Sequence, residues 1–157
     1  MKVATLCYLQ REGKTLMVNV KKKGGMHEGK WNGLGGKINE GETPEECAVR
    51  EVFEESGLKI KEPKLVGVIS FPFNVSKAGE SWIVFVFSAE NFEGKIIDNS
   101  AEGELAWIDN GKLLELNLNG GDIIFLPFVL ENRLFTAKIV YKEDIFVPEE
   151  SWIKPAL

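Results

Sequence analysis

The stretch GLGGKINEGETPEECAVREVFEESGL, Gly33 to Leu58, decides how this chain is read. Its second half carries well-marked helix boundaries. Thr43 can cap, Pro44 suits the first helical position, and Glu46 completes a capping box with Thr43. Gly57 is a natural C-terminal stop. The spacing predicts a helix over Pro44–Ser56. At about 100° per residue, Ala48, Val49, Val52 and Phe53 share one broad face, which should pack on a sheet. Glu51, Glu54 and Glu55 share another, so three carboxylates point one way within a single turn.

Such a face is costly in an empty protein. Like charges at i,i+4 destabilise a helix by about 0.2–0.5 kcal/mol per pair. The glutamates also crowd the helix C-terminus, where the macrodipole disfavours negative charge. Glu46 to Arg50 is the favourable i,i+4 order and Arg50 to Glu54 the weaker reverse order. One arginine cannot neutralise the whole cluster. Converging carboxylate oxygens suit a hard divalent cation such as Mg²⁺ or Mn²⁺, which completes its shell with water and substrate phosphates. A solvated acidic face is the plainer alternative.

Working outward, Val3–Leu9 and Thr15–Val20 are β-rich runs split by the polar turn Gln10–Lys14, and they predict a hairpin. Lys21–Gly36 is rich in Lys and Gly and reads mostly as loop. Leu65–Phe73 and Trp82–Phe87 read as strands around the polar turn Asn74–Ser81. Leu105–Ile108 reads as a short strand, Asp122–Asn132 as a second helix interrupted by Pro127, and Phe135–Tyr141 as a final strand. Strands that outnumber the helices yet interleave with them predict an α/β fold with a mixed sheet flanked by helices. No repeat or linker divides the 157 residues, so one domain spanning 1–157 is expected.

Composition narrows the chemistry. With 19 basic against 24 acidic residues and a net charge of -5, a binder of nucleic-acid polymers is not expected. The apolar runs Trp82–Phe87 and Ile123–Leu130 fall short of the roughly 18–20 residues that span a membrane, and the N-terminus carries no signal-peptide pattern. Cys7 and Cys47 show no C-x-x-C spacing, so neither a disulfide framework nor a zinc knuckle is expected, and a reducing cytoplasm is the default. His27 is the lone histidine, too few for a His-rich metal site. Gly24–Lys30 fits G-x-x-x-x-G-K, but Trp31 follows where Ser or Thr is needed. Gly33-Leu34-Gly35-Gly36 does not complete G-x-G-x-x-G.

Gly36, Glu42 and the run Arg50-Glu51-Val52-Phe53-Glu54-Glu55-Ser56-Gly57-Leu58 match every fixed position of the pattern G-x5-E-x7-R-E-U-x-E-E-x-G-U, with U a bulky apolar residue. This is the Nudix box, and the chain resembles the Nudix hydrolase family. The resemblance implies an α/β/α sandwich around a mixed sheet. It also implies divalent-metal-dependent hydrolysis of a nucleoside diphosphate linked to another group. Lys22–Leu58, containing Lys30-Trp31-Asn32-Gly33-Leu34-Gly35-Gly36-Lys37, looks like the MutT-type branch. It is most similar there to the diphosphatases that remove oxidised purine nucleoside triphosphates such as 8-oxo-dGTP. The similarity continues more weakly to about Phe128.

Carried over by position, the resemblance implies metal ligands Glu51, Glu54, Glu55 and the Gly36 carbonyl. It implies Glu102 as a further catalytic carboxylate, with Arg50 and Glu42 bracing the site by ion pairing. It implies substrate contacts from Lys22 at the pocket mouth, from Asn32 on the purine edge, and from Met26, Phe71, Phe73 and Trp82 around the base. Asp122 matches one of two adjacent aspartates that read the oxidised base. The chain departs at Gly121, which stands for the first of that pair, and at Asn119, which stands for a pocket tryptophan. Taken alone, Phe71, Phe73 and Trp82 read equally as core residues of strands. Likewise Asn32 reads as a turn residue, Lys22 as a solvated edge and Glu102 as a surface charge. Cys47 and His27 are assigned no functional weight. The implied reaction is attack of water on a phosphorus, releasing monophosphate and pyrophosphate, by a cytoplasmic monomer acting on a small nucleotide. ADP-ribose, dinucleoside polyphosphates and unmodified triphosphates are alternative substrates, and a non-catalytic nucleotide sensor is the remaining alternative.

Overall fold

The computed structural model describes residues 1–25, 27–72 and 79–157. The expected hairpin forms from β1 (Lys2–Arg11) and β2 (Lys14–Val20), turning through Glu12 and Gly13, both at positive φ. β3 (Trp31–Asn32) pairs with β2, and β4 (Leu34–Lys37) pairs antiparallel with the first half of β1. The helix α1 (Pro44–Ser56) follows, and β5 (Lys59–Ile60) later pairs with β8 (Phe92–Glu93). β6 (Lys64–Phe71) runs antiparallel to β7 (Trp82–Ala89), and β7 runs parallel to β1 over Lys2–Leu9. β9 (Gly103–Asp109) borders β2 and leads into a 3-10 turn, Asn110–Glu115. Last come the helix α2 (Asp122–Leu130), β10 (Phe135–Lys138), the small ribbon β11 (Tyr141–Lys142) with β12 (Ile145–Phe146), a 3-10 turn at Pro148–Glu150 and β13 (Trp152–Pro155).

Successive residues of a strand point to opposite faces, and the burial pattern shows two layers built on that rule. Cys7, Leu9, Leu16 and Phe87 pack with Ala48 and Val52 of α1. Tyr8, Met17 and Val86 pack on the other side with Phe125, Leu126 and Phe135, joining α2 to the sheet. The result is the α/β/α sandwich around a mixed sheet that the sequence predicts. Among the described residues no helix is long and apolar enough to cross a membrane.

The differences from the sequence reading have physical causes. Lys21–Gly36 is not mostly loop at its end, because β3 and β4 occupy Trp31–Lys37. Gly35 and Gly36 lack strand propensity, yet β4 forms because they lie against β1, with Thr5 opposite Gly36 and Leu6 opposite Gly35. A Cβ at Gly35 would sit 2.0 Å from the Thr5 carbonyl oxygen, so close approach rather than propensity sets this strand. The last predicted strand stops at Lys138, and Tyr141 instead opens β11. α2 ends at Leu130, and Asn132 takes a left-handed φ of 53°. That helix survives Pro127 because Phe125, Leu126 and Val129 are buried, and packing outweighs propensity. Phe53 is solvent-exposed rather than on the packing face. The buried stripe of α1 runs through Cys47, Ala48, Val52, Glu55 and Ser56, so a carboxylate takes the core-edge place.

Candidate active site

The rotation of α1 grades its three glutamates from core to solvent. Glu55 is 7% exposed, the Glu51 side chain 17% and the Glu54 side chain 56%. The capping box forms as predicted: Thr43 Oγ1 accepts from Glu46 N–H and the Glu46 carboxylate accepts from Thr43 N–H. Glu46 is thereby committed to the cap, and Arg50 turns to Glu42 instead. The guanidinium grips Glu42 through two bonds of 2.6 and 2.9 Å. It also donates to Glu51 at 2.8 Å, Glu54 at 3.3 Å and the Lys37 carbonyl at 3.1 Å. Arg50 and the Asn39 amide hold the Glu42 carboxyl far down, at about 2.

β4 brings its glycines against this ridge. The Gly35 N–H donates to Glu55 Oε1 at 3.3 Å, and a Cβ on Gly36 would lie 2.5 Å from the Glu51 carboxyl carbon. Burial first, then the neighbouring carboxyls of Glu51 and Glu102, push Glu55 up to about 9. Glu102, exposed just ahead of β9, is thus close enough for its charge to act on Glu55. Among the described residues no three acidic, histidine or cysteine side chains close around a common point, since Arg50 engages both Glu51 and Glu54. The donor set nonetheless fits a hard divalent ion. Glu51 and Glu55 crowd together at a core edge beside Gly36, and a cation would replace the proton that keeps Glu55 neutral.

A cavity of about 630 Å³ opens beside Gly35 and Gly36 and runs inward between the sheet and α2. Thr5, Leu6, Phe71 and Trp82 line its walls, Asn32 faces it, and Lys22 stands at its exposed rim. Phe71 stacks on Tyr141 at 6.4 Å, and Lys37 lies over the Trp82 ring. Five of the seven expected substrate contacts therefore border one cavity: Lys22, Asn32, Phe71, Trp82 and Asp122. Met26 and Phe73 lie outside the described residues.

Asp122 closes the inner end at the start of α2. The Asn119 backbone amide bonds its carboxyl, and Oδ2 is buried with no partner among the described residues. Burial pushes Asp122 up to about 7, with Lys30 pulling in the opposite direction. The unfolded chain ionises this group near pH 4, so stability falls between about pH 4 and pH 7 and levels off once the folded form ionises too. Replacing Asp122 by Asn removes that loss. The variant should gain on the wild type, by at most about 4–5 kcal/mol, as pH rises through that window. Melting temperatures of both proteins from pH 4 to 8 check this; parallel curves would contradict it.

The departure at Gly121 has a steric cause. A Cβ there would lie 2.5 Å from Ile139 and 2.9 Å from the Tyr141 hydroxyl, which accepts from the Gly121 N–H at 2.8 Å. His27 and Tyr141 also line the cavity, although the sequence reading gave His27 no weight and did not single out Tyr141. No spacing rule marks them: His27 sits in a Gly-rich loop, and Tyr141 lies far along the chain.

The family model described as NUDIX domain matches residues 1–128. This chain belongs to the Nudix family and is a Nudix hydrolase. It is 37% identical over 149 residues to the oxidized purine nucleoside triphosphate hydrolase of Danio rerio, covering 93% of this chain and 91% of that protein. It is 33% identical over 102 residues to an ADP-ribose pyrophosphatase of Methanocaldococcus jannaschii, covering 65% of this chain and 59% of that one. The crystal structure of a MutT protein from Bacillus halodurans superimposes with a TM-score of 0.84 at 28% identity, covering 99% and 98% of the two chains.

Proposed function

We propose that this Nudix hydrolase splits purine nucleoside triphosphates, oxidised forms such as 8-oxo-dGTP among them, into the monophosphate and pyrophosphate, using Mg²⁺ or Mn²⁺. One observation carries the reading: Gly35 and Gly36 line the aromatic cavity and also lie against Glu55 and Glu51 of the carboxylate ridge. A triphosphate laid along the ridge would put its base against Phe71 and Trp82, which stand side by side across β6 and β7, in the cavity that Asn32 and Asp122 also line. The resemblance to the zebrafish enzyme over nearly the whole chain supports the same substrate class.

Glu51, Glu54, Glu55 and the Gly36 carbonyl would hold the metal, which when bound neutralises phosphate oxygens and acidifies the attacking water. Arg50 and Glu42 hold Glu51 and Glu54 in place. A glutamate of the Glu51, Glu54, Glu102 group takes the proton from the water. Lys22 offers its charge to the phosphates at the rim, and the aromatic walls stack on the base and keep water from it.

Cleavage of ADP-ribose is the competing reading, favoured by the archaeal relative's name and by the glycine at position 121. A panel of 8-oxo-dGTP, 2-hydroxy-dATP, dGTP and ADP-ribose, scored by kcat/KM, separates the two. A triphosphate should rank first with pyrophosphate as product. Preference for ADP-ribose over every triphosphate would overturn the assignment.

A further inference from the structure

α2 covers one side of the sheet, whereas α1 covers only part of the other, packing on β4, β1 and β5. Beyond β1 the strand order continues β7, β6, β10, β13. There the α1 side of the sheet stays partly open: Val3 is 38% exposed, Leu65 38% and Trp152 44%. Cross-strand partners share a face, so the pairing gives this surface row by row. One row runs Val3, Ile83, Ser70, Lys138, Trp152. The next runs Phe85, Val68, Thr136, Lys154. The surface is therefore apolar over β7 and β6 and basic over β10 and β13, and neither row holds a carboxylate. A sheet face turned to water normally carries polar side chains, and a contiguous apolar patch marks an interaction surface.

The wall beside the patch is acidic. Glu51 lies against Gly36 of β4, so the opposite flank of α1 is turned toward β7. Helical spacing places Glu45, Val49 and Phe53 along that flank. Glu45 is exposed and Phe53 is 56% exposed. From α1 outward the surface is thus acidic, then apolar, then basic. Such a gradient is complementary to itself when turned end for end. A two-fold axis along the strands lays β7 of one copy over β13 of the other. The lysine edge of each copy then meets the glutamate flank of the other's α1, and Trp152 meets Phe53. The same contact covers β13, whose outer edge has no strand partner among the described residues.

We propose that this face docks a second copy of the chain, sheet against sheet about a two-fold axis, in place of the monomer expected from the sequence. Strand spacing gives roughly 400 Å² of flat face per copy. That is the low end of specific interfaces, so the pair is weak, with a Kd on the order of 10–100 µM. Glu51 and Glu54 lie on the other flank of α1, outside the contact, so pairing and hydrolysis are independent.

Sedimentation equilibrium of the full chain from about 5 to about 500 µM tests the pairing. The wild type should pass from monomer to dimer over that range, and raising salt to about 1 M should weaken it several-fold. Trp152→Ala should raise Kd at least about 10-fold. Glu45→Lys and Lys154→Glu should each raise it about 5-fold, and the two combined should return it to within about 3-fold of wild type. Melting curves check that each variant folds. A wild type still monomeric at the highest concentration would overturn the proposal. A dimer indifferent to all three substitutions, or single losses that the double variant fails to recover, would do the same. So would capture of the monomer by phosphatidylserine vesicles that Trp152→Ala abolishes, because the occupant would then be a membrane. Turnover per subunit should be unchanged in Trp152→Ala, so the pairing and the hydrolase reading can fail separately.

Discussion

Glutamine in place of Glu54 or Glu55 should abolish turnover and leave the fold standing. The two positions reach that result differently. Burial first, then the neighbouring carboxyls of Glu51 and Glu102, hold Glu55 well above the usual carboxylate range. A neutral amide there resembles the resting side chain and keeps an oxygen for the Gly35 N–H. What it loses is the ability to give up a proton and accept a cation. Glu54 is largely solvent-exposed and its bond to Arg50 is the longest that Arg50 makes to a carboxylate, so glutamine costs little stability. A fall in kcat/KM of at least about two orders of magnitude is expected for each. Pyrophosphate release with saturating Mg²⁺ gives the activity, and circular dichroism melting gives the fold. If both variants kept near-normal activity, the helix would not be the catalytic centre.

Arg50 should show the opposite balance, a loss of stability together with activity. It is the one cation among the described ion pairs that touches Glu42, Glu51 and Glu54. Alanine would strand three carboxylates, two of them largely buried, at a cost of about 2–4 kcal/mol. For a chain of this size that lowers the melting temperature by roughly 5–10 °C. Lysine keeps the charge but cannot reproduce the bidentate grip on Glu42 while also reaching Glu51 and Glu54. Arg50→Lys should therefore recover part of the stability and little of the activity. A lysine variant with full activity would show that charge alone suffices, and that the fork of bonds is dispensable.

The legible parts of this chain are those whose cause is local. The helix Pro44–Ser56 is written in its cap, its proline and its terminal glycine, and the structure reproduces each. The carboxylate ridge follows from helical spacing. The side of α1 that is buried does not, because Phe53 and Glu55 exchange roles only when the helix meets β4 and the sheet. β4 was illegible for a related reason: two glycines look like loop until the approach of Thr5 and Glu51 shows why nothing larger fits. His27 and Asn119 stand 92 residues apart in sequence, and only the folded chain puts them within hydrogen-bonding distance.

The strand order has a further consequence. β10 lies between β6 and β13, and both β10 and β13 come after the last residue matched by the family model. During synthesis the flank of β6 from Gly67 to Ser70 must wait, open, for Phe135–Lys138 to emerge and cover it. Until then its unpaired amides and carbonyls are a template for any passing strand. The tail from Phe135 onward thus covers a flank that would otherwise lie open to strand pairing, and chains shortened before it are expected to clump while α1 still folds.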